Sequence, residues 1–524
     1  VRRAHPVMSE TDGPGNVLFV VMDTVRQSHL SVYGYDRPTT PNLEDFAADA
    51  RVFEEAVAPA PWTLPVHASL FTGLYPTQHG ATQENPYLEG ATTLAESLSA
   101  AGYATACYSS NAWITPYTNL ADGFDDQDNF FQVMPGDLLS GPLSKIWKTM
   151  NDNDTLRSVA DRLVELGNTA HEYFAESGGG DTKTPEIVDR VQTFVEDSEE
   201  NGDEWFSFVN LMDAHLPYHP PEAFADEFAP GVDSTAVCQN SKEYNSGARD
   251  IDDDEWEAIQ GLYDAEIAHI DHHLGRLFEW LQETDRWEDT LVVVCADHGE
   301  LFGEHGLYGH EFGVYDPLVN VPLMVKHPEL DAGRDTETQV ELQDLYHTVL
   351  DHAGVDADTG GEPFDRARSL LAADYREFAS VDAPRGARSR FAAHDEGELD
   401  DYAFVDYHRP VVELNQLESK ASAAGIDLDT DSRFYSRMRA GRRVDGKYIR
   451  NERIPDEAYR LDTDPDELAD LVGSDDEVVA ATEDALRTFE SEMDGEWDDV
   501  TDEDVLDDMG DEAKDRLSDL GYIE

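Results

Sequence analysis

The amino-acid sequence predicts an α/β fold: a large mixed, mostly parallel sheet sandwiched by helices, followed by a smaller C-terminal α+β subdomain. Short apolar runs, rich in Val and aromatics and bounded by polar residues, alternate with stretches of helical periodicity. Each run also ends in polar residues able to do chemistry, and open parallel sheets place their ligands beyond the carboxyl ends of their strands.

The first run, NVLFVVMD from Asn16 to Asp23, has the continuous apolar character of a strand buried on both faces. YATACYSS near residue 103, WFSFVNLMD near 205 and TLVVVCADHG near 290 repeat it. The clearest helix runs from Tyr263 to Leu281, where Tyr263, Ile267, Ile270, Leu274, Leu277 and Leu281 recur at helical spacing and form one buried stripe. His269, His272 and His273 project away from that stripe and read as a solvated face, as do Asp264 and Glu266. The IDDDEWE run before them lacks the Gly and ligand spacing of a calcium loop and reads as solvated acid. Residues 15–375 form the expected catalytic domain, within which 136–203 is an insertion or cover containing the GGGDTKTP loop. Shorter strand-like pieces, YAFVDYH and GKYIRNE, mark a C-terminal subdomain over 376–473, and residues 474–524 read as an acidic helical tail.

Charge narrows the partners. Asp and Glu number 112 against 37 Lys and Arg, a formal net charge of -75, and such a surface repels nucleic-acid backbones and anionic headgroups. The acid is spread along the chain, the pattern of a haloarchaeal-type cytoplasmic protein working under heavy screening. Cys107, Cys238 and Cys295 are far apart and lack CxxC spacing, so neither a disulfide framework nor a zinc knuckle is expected. VRRAHPVMSETDGPGN has no apolar stretch of the secretory type, Met8 offers an alternative start, and no apolar run reaches membrane-spanning length.

The segment from Ala60 to Gly80, APWTLPVHASLFTGLYPTQHG, reads as a loop entering a helix with Thr63 at the N-cap and Pro65 in the first turn. A hydroxyl there lies beside free N–H groups and the positive end of the helix dipole, a setting suited to an oxyanion. Asp23, Asn111, Asp213, His215, Asp297 and His298 follow the four apolar runs and converge on one expected site.

From about Asn16 to Leu471 the chain resembles the sulfatase family of the alkaline-phosphatase superfamily. The family signature is Cys or Ser, x, Pro, Ser, Arg and then a spaced Thr-Gly; here stand Thr63, Leu64, Pro65, Val66, His67, then Thr72 and Gly73. YPTQHG, DHGE at 297–300, GEHG at 303–306 and VPLMV at 321–325 follow in the family's order. The resemblance implies a metal site of Asp23, Asp297, His298 and Thr63, with Thr24 replacing the usual second aspartate. It places Thr63 at the nucleophile and Asn111 where many relatives carry a lysine. His215 falls in the HxP motif and His310 at a second active-site lysine or histidine, while His67 replaces the signature arginine. His79 and Gly80 read as shaping the turn behind the nucleophile helix, and His305 as supporting the loop of His310. Carboxylates with one imidazole suit one divalent cation, Ca, Mg, Mn or Zn.

Relatives that cleave sulfate esters oxidise Cys or Ser to formylglycine, whose hydrate expels sulfate by collapsing to the aldehyde. Thr63 has a methyl on its β-carbon, so no formylglycine is expected. A phosphothreonine, by contrast, can be cleaved by water at phosphorus. The expected activity is therefore hydrolysis of phosphate mono- or diesters through a covalent Thr63 intermediate, on a small-molecule or glycan substrate. The alternatives are sulfate-ester hydrolysis without formylglycine, phosphoryl-group transfer, and a silent metal-binding or interaction protein.

Overall fold

A computed structural model of the 524-residue chain describes residues 15–83, 85–129, 183–355, 364–372 and 402–493. Its main sheet holds β1 (Asn16–Met22), β2 (Arg51–Val57), β3 (Ala104–Ser109), β4 (Asp126–Asn129), β5 (Trp205–Leu211), β6 (Thr290–Cys295), β9 (Asn320–Lys326) and β10 (Gly333–Glu341). The strand order is β10-β2-β9-β6-β1-β5-β3-β4. Strand β9 pairs antiparallel with both β6 and β2 while every other neighbour pair is parallel, so β9 alone is reversed and the mixed, mostly parallel sheet is as expected. All four apolar runs are strands, and β1, β5 and β6 lie side by side at its centre, where helices on both faces keep their side chains from water.

Local chemistry fixes the helices. In Leu94–Ala101 the Thr93 hydroxyl accepts from the Glu96 amide at 3.1 Å, the Glu96 carboxylate accepts from the Thr93 amide at 2.8 Å, and Gly102 ends the helix at φ 101°. The Asp253–Glu283 helix starts at Asp252, whose carboxylate accepts from the Glu255 amide, and runs for 31 residues. Its six-residue stripe is buried as expected.

The opposite side of that helix departs from expectation. Of the five residues expected on the solvated face only His272 is exposed; Asp264, Glu266, His269 and His273 are all buried. Periodicity assumes one covered face, but here the loops around 24–40 and 213–228 cover a second. Asp264 accepts from His29 at 2.8 Å, Tyr35 at 3.0 Å and Arg37, while Glu266 accepts from the His219 amide at 2.8 Å.

Of the expected insertion, residues 183–203 are described. They contain the Thr184–Asn201 helix, which buries Ile187, Val188, Val191 and Val195 in the main core, so this end is part of the sandwich itself. Residues 136–182 lie outside the described residues, as do 376–401 and 494–524.

The smaller sheet is antiparallel: β11 (Ala403–Tyr407), β12 (Met438–Arg443), β13 (Gly446–Asn451) and β14 (Glu457–Tyr459), in that order. The Glu477–Glu492 helix covers it, with Phe489 stacked on Phe404 at 4.3 Å, so the described part of the expected tail belongs to the subdomain core. Arg442 of β12 ties the two sheets together. Its guanidinium donates to Asp316 at 2.9 Å, to Glu55 of β2 at 2.7 Å and to Gln339 of β10 at 2.9 Å. Arg442→Ala is expected to cost about 3 kcal/mol or more, read by denaturant unfolding, because it takes the shared cation from partly buried Glu55 and leaves Asp316 to Lys447.

A two-stranded ribbon, β7 (Leu301–Phe302) with β8 (Tyr308–Gly309), delivers His310 to the carboxyl edge of the main sheet. The three cysteines are buried free thiols. Among the described residues no helix is long and apolar enough to cross a membrane.

Candidate active site and metal centre

Asp23 follows β1, Asn111 follows β3 and the Asp297–His298 pair follows β6, so three parallel strands, β6 and β1 side by side and β3 beyond β5, aim these side chains at one point. Thr63 arrives there from the start of the Thr63–Thr72 helix. It is the first helical residue rather than the N-cap, which is Trp62 in extended conformation, and Gly73 closes the helix at φ 74°. The difference matters: as first residue Thr63 lies in the turn whose N–H groups have no helical carbonyl to meet.

The Thr63 hydroxyl lies 3.5 Å from His298 Nε2 and 3.3 Å from Asn111 Nδ2. Asn111 is held in one orientation because its carbonyl oxygen accepts from the Trp113 amide at 2.8 Å. Its NH2 is left to face Asp23 at 2.9 Å and Thr63. His298 is oriented in the same way: Nδ1–H donates to the Gly299 carbonyl at 3.1 Å, and Nε2 faces Asp297 at 3.5 Å and Asp23 at 3.9 Å.

The electrostatics of this pocket ask for a cation. Burial and the neighbouring Asp23 carboxylate push the Asp297 carboxyl well above the usual range. Burial works against ionised Asp23 too, but the imidazoles of His215 and His298 and the Asn210 amide outweigh it and hold that carboxyl below its ordinary value. Burial, with His310 next, drives the His298 imidazole far down and keeps it a neutral donor. Asp297 Oδ2 is buried without a hydrogen-bond partner among the described residues. Asp23, Asp297 and His298 each offer a ligand atom, and all three lie within 4.8 Å of one another. Two carboxylates, one neutral imidazole and a nearby hydroxyl fit a hard or borderline divalent ion.

The remaining expected residues divide. His310 reaches the pocket, its ring 4.4 Å from that of His298 and 5.2 Å from that of His215, so His215 is at the site as well. Burial opposes charge on His310, but Glu300, 3.3 Å away, and Glu311 outweigh it and raise the imidazole to about 9. His215 donates from Nδ1 to the Leu216 carbonyl, leaving Nε2 as its working nitrogen. His67 lies beneath the helix start, where burial lowers it to about 4; neutral, it donates to the Thr63 carbonyl at 2.9 Å and lies 3.4 Å from the Asn210 amide. A neutral, buried imidazole cannot make the contacts of the arginine it replaces. Asp213, grouped with these at first sight, turns away and hydrogen-bonds His269 at 2.6 Å. His79 lies behind the Thr63–Thr72 helix, 3.1 Å from the Ser69 hydroxyl, while His305 stacks on Tyr315 at 3.5 Å outside the pocket.

Three contributors have no role in the motif reading, although Thr24 and Glu300 lie within its segments. Asn210 donates to Asp23 at 3.0 Å, and its signal was a lone amide inside the otherwise buried β5 run. Thr24, at φ 62°, is a β-branched residue in the left-handed region; its hydroxyl donates to Asp23 and its amide to Asp297. Such strain persists only where surroundings enforce it, here through the Tyr263 hydroxyl, which donates to the Thr24 carbonyl at 2.8 Å. Glu300 holds His310 and accepts from the Tyr218 hydroxyl.

Carboxylates, imidazoles and a helix-start hydroxyl gathered at the carboxyl edge of a mostly parallel sheet form the candidate centre of an ester hydrolase of the alkaline-phosphatase superfamily, with a group of side chains able to hold a divalent cation. The chain belongs to the sulfatase family, whose model, Sulfatase, matches residues 15–355. It is 26% identical over 506 residues to the multifunctional alkaline phosphatase superfamily protein PehA of Trinickia caryophylli, covering 87% of this chain and 91% of that protein. It is 24% identical to an arylsulfatase of Clostridium perfringens, over 65% of this chain and 75% of the relative. The phosphonate monoester hydrolase of Agrobacterium radiobacter shares the fold at a TM-score of 0.61 and 22% identity, over 91% of this chain and 95% of the other.

Proposed function

We propose that the protein hydrolyses phosphate mono- or diesters of a small molecule or glycan through a covalent Thr63 intermediate. The observation that carries this reading is the Thr63 hydroxyl itself, placed at a helix start between Asn111 and His298 on a β-carbon that cannot become an aldehyde. The names of two similar proteins, the multifunctional PehA and a phosphonate monoester hydrolase that shares the fold, are in keeping with this reading.

Asp23, Asp297, His298 and Thr63 would hold one divalent cation, which when bound lowers the pKa of a ligating hydroxyl and offsets charge on the transferred group. Asn111 Nδ2 donates to a nonbridging oxygen, and the first-turn amides of the Thr63–Thr72 helix face the same charge. His310, held cationic by Glu300, protonates the leaving alcohol; His215 stands beside it for the water that releases Thr63.

Glu300→Gln removes the carboxylate that raises His310. The alkaline limb of the kcat/KM profile is expected to move down from about 9 toward the ordinary imidazole value near 6.5, read by initial rates across pH. An unmoved limb assigns it to another group.

A panel of aryl phosphate monoester, phosphodiester, phosphonate monoester and sulfate substrates tests the proposal. It is run with added divalent ions at molar salt, as the haloarchaeal-type charge balance recommends. Turnover of phosphate esters that is lost in Thr63→Ala is expected. Sulfate turnover that survives the substitution rejects the phosphate reading and removes Thr63 as nucleophile.

A further inference from the structure

We propose that Asp213, Glu266 and His269 form a second divalent-cation site, behind the loop that carries His215. Asp213 lies two residues beyond β5, and Glu266 and His269 come from adjacent turns of the Asp253–Glu283 helix. Each offers a ligand atom, all three atoms lie within 4.8 Å of one another, and the residues are 3%, 0% and 3% exposed.

The other buried acids of this helix have ordinary roles. Asp264 is matched by Arg37 and His29. Asp271 accepts from the Asn42 and Leu43 amides at the start of the Pro41–Phe46 helix. Glu266 accepts the His219 amide and lies beside a second carboxylate and an imidazole. A shared space holding two carboxylates with almost no access to water is a setting in which buried charge is paired or coordinates a metal.

The Glu266-x-x-His269 spacing, three residues on a helix, puts a carboxylate and an imidazole on one face. That arrangement builds metal sites in helix bundles, where a carboxylate from another element completes it as Asp213 does here. The 2.6 Å contact between His269 Nδ1 and Asp213 Oδ1 occupies the seat as a hydrogen bond. Cation binding replaces it: the Nδ1 proton leaves or the ring takes its other tautomer, and both atoms turn to the ion. The Thr184 hydroxyl donates to Asp213 and orients the carboxylate from outside. One nitrogen and two carboxylates select a borderline ion of the zinc or manganese type. Such an ion fixes the backbone two residues before His215, so it is a structural site that positions the candidate acid–base residue.

The test uses the full chain, stripped with chelator, reloaded with zinc or manganese, desalted and analysed for metal per protein. The wild type is expected to hold two equivalents. Asp297→Asn, which damages the first site, is expected to keep one. Glu266→Gln and His269→Gln, near-isosteric and checked by circular dichroism, are expected to fall from two to one, and Asp297→Asn with Glu266→Gln to none. A wild type holding one equivalent or none overturns the proposal. So does a stoichiometry unchanged by Glu266→Gln, and Asp23, Asp297 and His298 can still bind in that case, so the two sites fail separately.

Discussion

Thr63→Ala is expected to lower kcat on the best phosphate ester by at least about 10³-fold while leaving the fold and much of the cation affinity in place. The substitution removes the hydroxyl and the γ-methyl of a residue that is 4% exposed and adds no bulk, so the Asp23, Asp297 and His298 donors keep their places. Its helix also gains rather than loses propensity, since alanine suits a helical position better than threonine. Thr63→Ser supplies the control: it restores the hydroxyl without the methyl and should recover a large share of the rate. Steady-state kinetics of both variants, with unfolding curves and cation titrations alongside, separate a lost nucleophile from a damaged site.

Asp297→Asn is expected to split stability from activity. In the metal-free protein, burial and Asp23 raise the Asp297 carboxyl, so ionising it costs folding free energy. The sign follows directly: a carboxyl whose folded pKa exceeds its unfolded value, about 4, lowers stability as pH rises above that value, and the loss grows until the folded pKa is passed. Metal-free wild type should therefore be less stable at neutral than at mildly acidic pH at this site, and metal-free Asp297→Asn should equal or exceed it at pH 7. Added cation should reverse the order, stabilising the wild type in proportion to its occupancy and the variant far less. Turnover of the variant should fall by about 10²-fold or more. Thermal unfolding with and without cation at two pH values reads every part; a metal-free variant that melts well below the wild type at neutral pH would show that the repulsion between Asp23 and Asp297 is not what the geometry implies.

Much of this site was legible before any coordinates, and for a physical reason. Strands buried on both faces leave an unmistakable apolar run, and the residue after such a run must be near the carboxyl edge of the sheet, so Asp23, Asn111, Asp297 and His298 could be placed by position alone. Asp213 shows where that logic stops. A strand end fixes where the backbone leaves the sheet and says nothing of which way the side chain turns; Asp213 turns to His269.

Helix 253–283 departs further from its sequence pattern. Its apolar stripe is real, but buried carboxylates at Asp264 and Glu266 and imidazoles at His269 and His273 look like a wet surface to any scale of hydrophobicity. They are tolerated inside because specific partners from distant loops neutralise or hydrogen-bond them, such as Arg37 for Asp264 and the His219 amide for Glu266, and such pairings have no periodicity. Thr24 was similarly hidden. As a substitute for an acidic residue it looks like a loss, yet its strained backbone amide and hydroxyl organise both carboxylates, Asp297 and Asp23.

The most direct test of the central claim is a rapid-quench experiment with an aryl phosphodiester, followed by proteolysis and mass spectrometry of the peptide that carries Thr63. The account predicts a burst of aryl alcohol matched by a phosphoryl or phosphoryl-ester adduct on Thr63, formed only with divalent cation present and absent in Thr63→Ala. Turnover that proceeds at the wild-type rate in Thr63→Ala, with the adduct on another residue or with none, would contradict it.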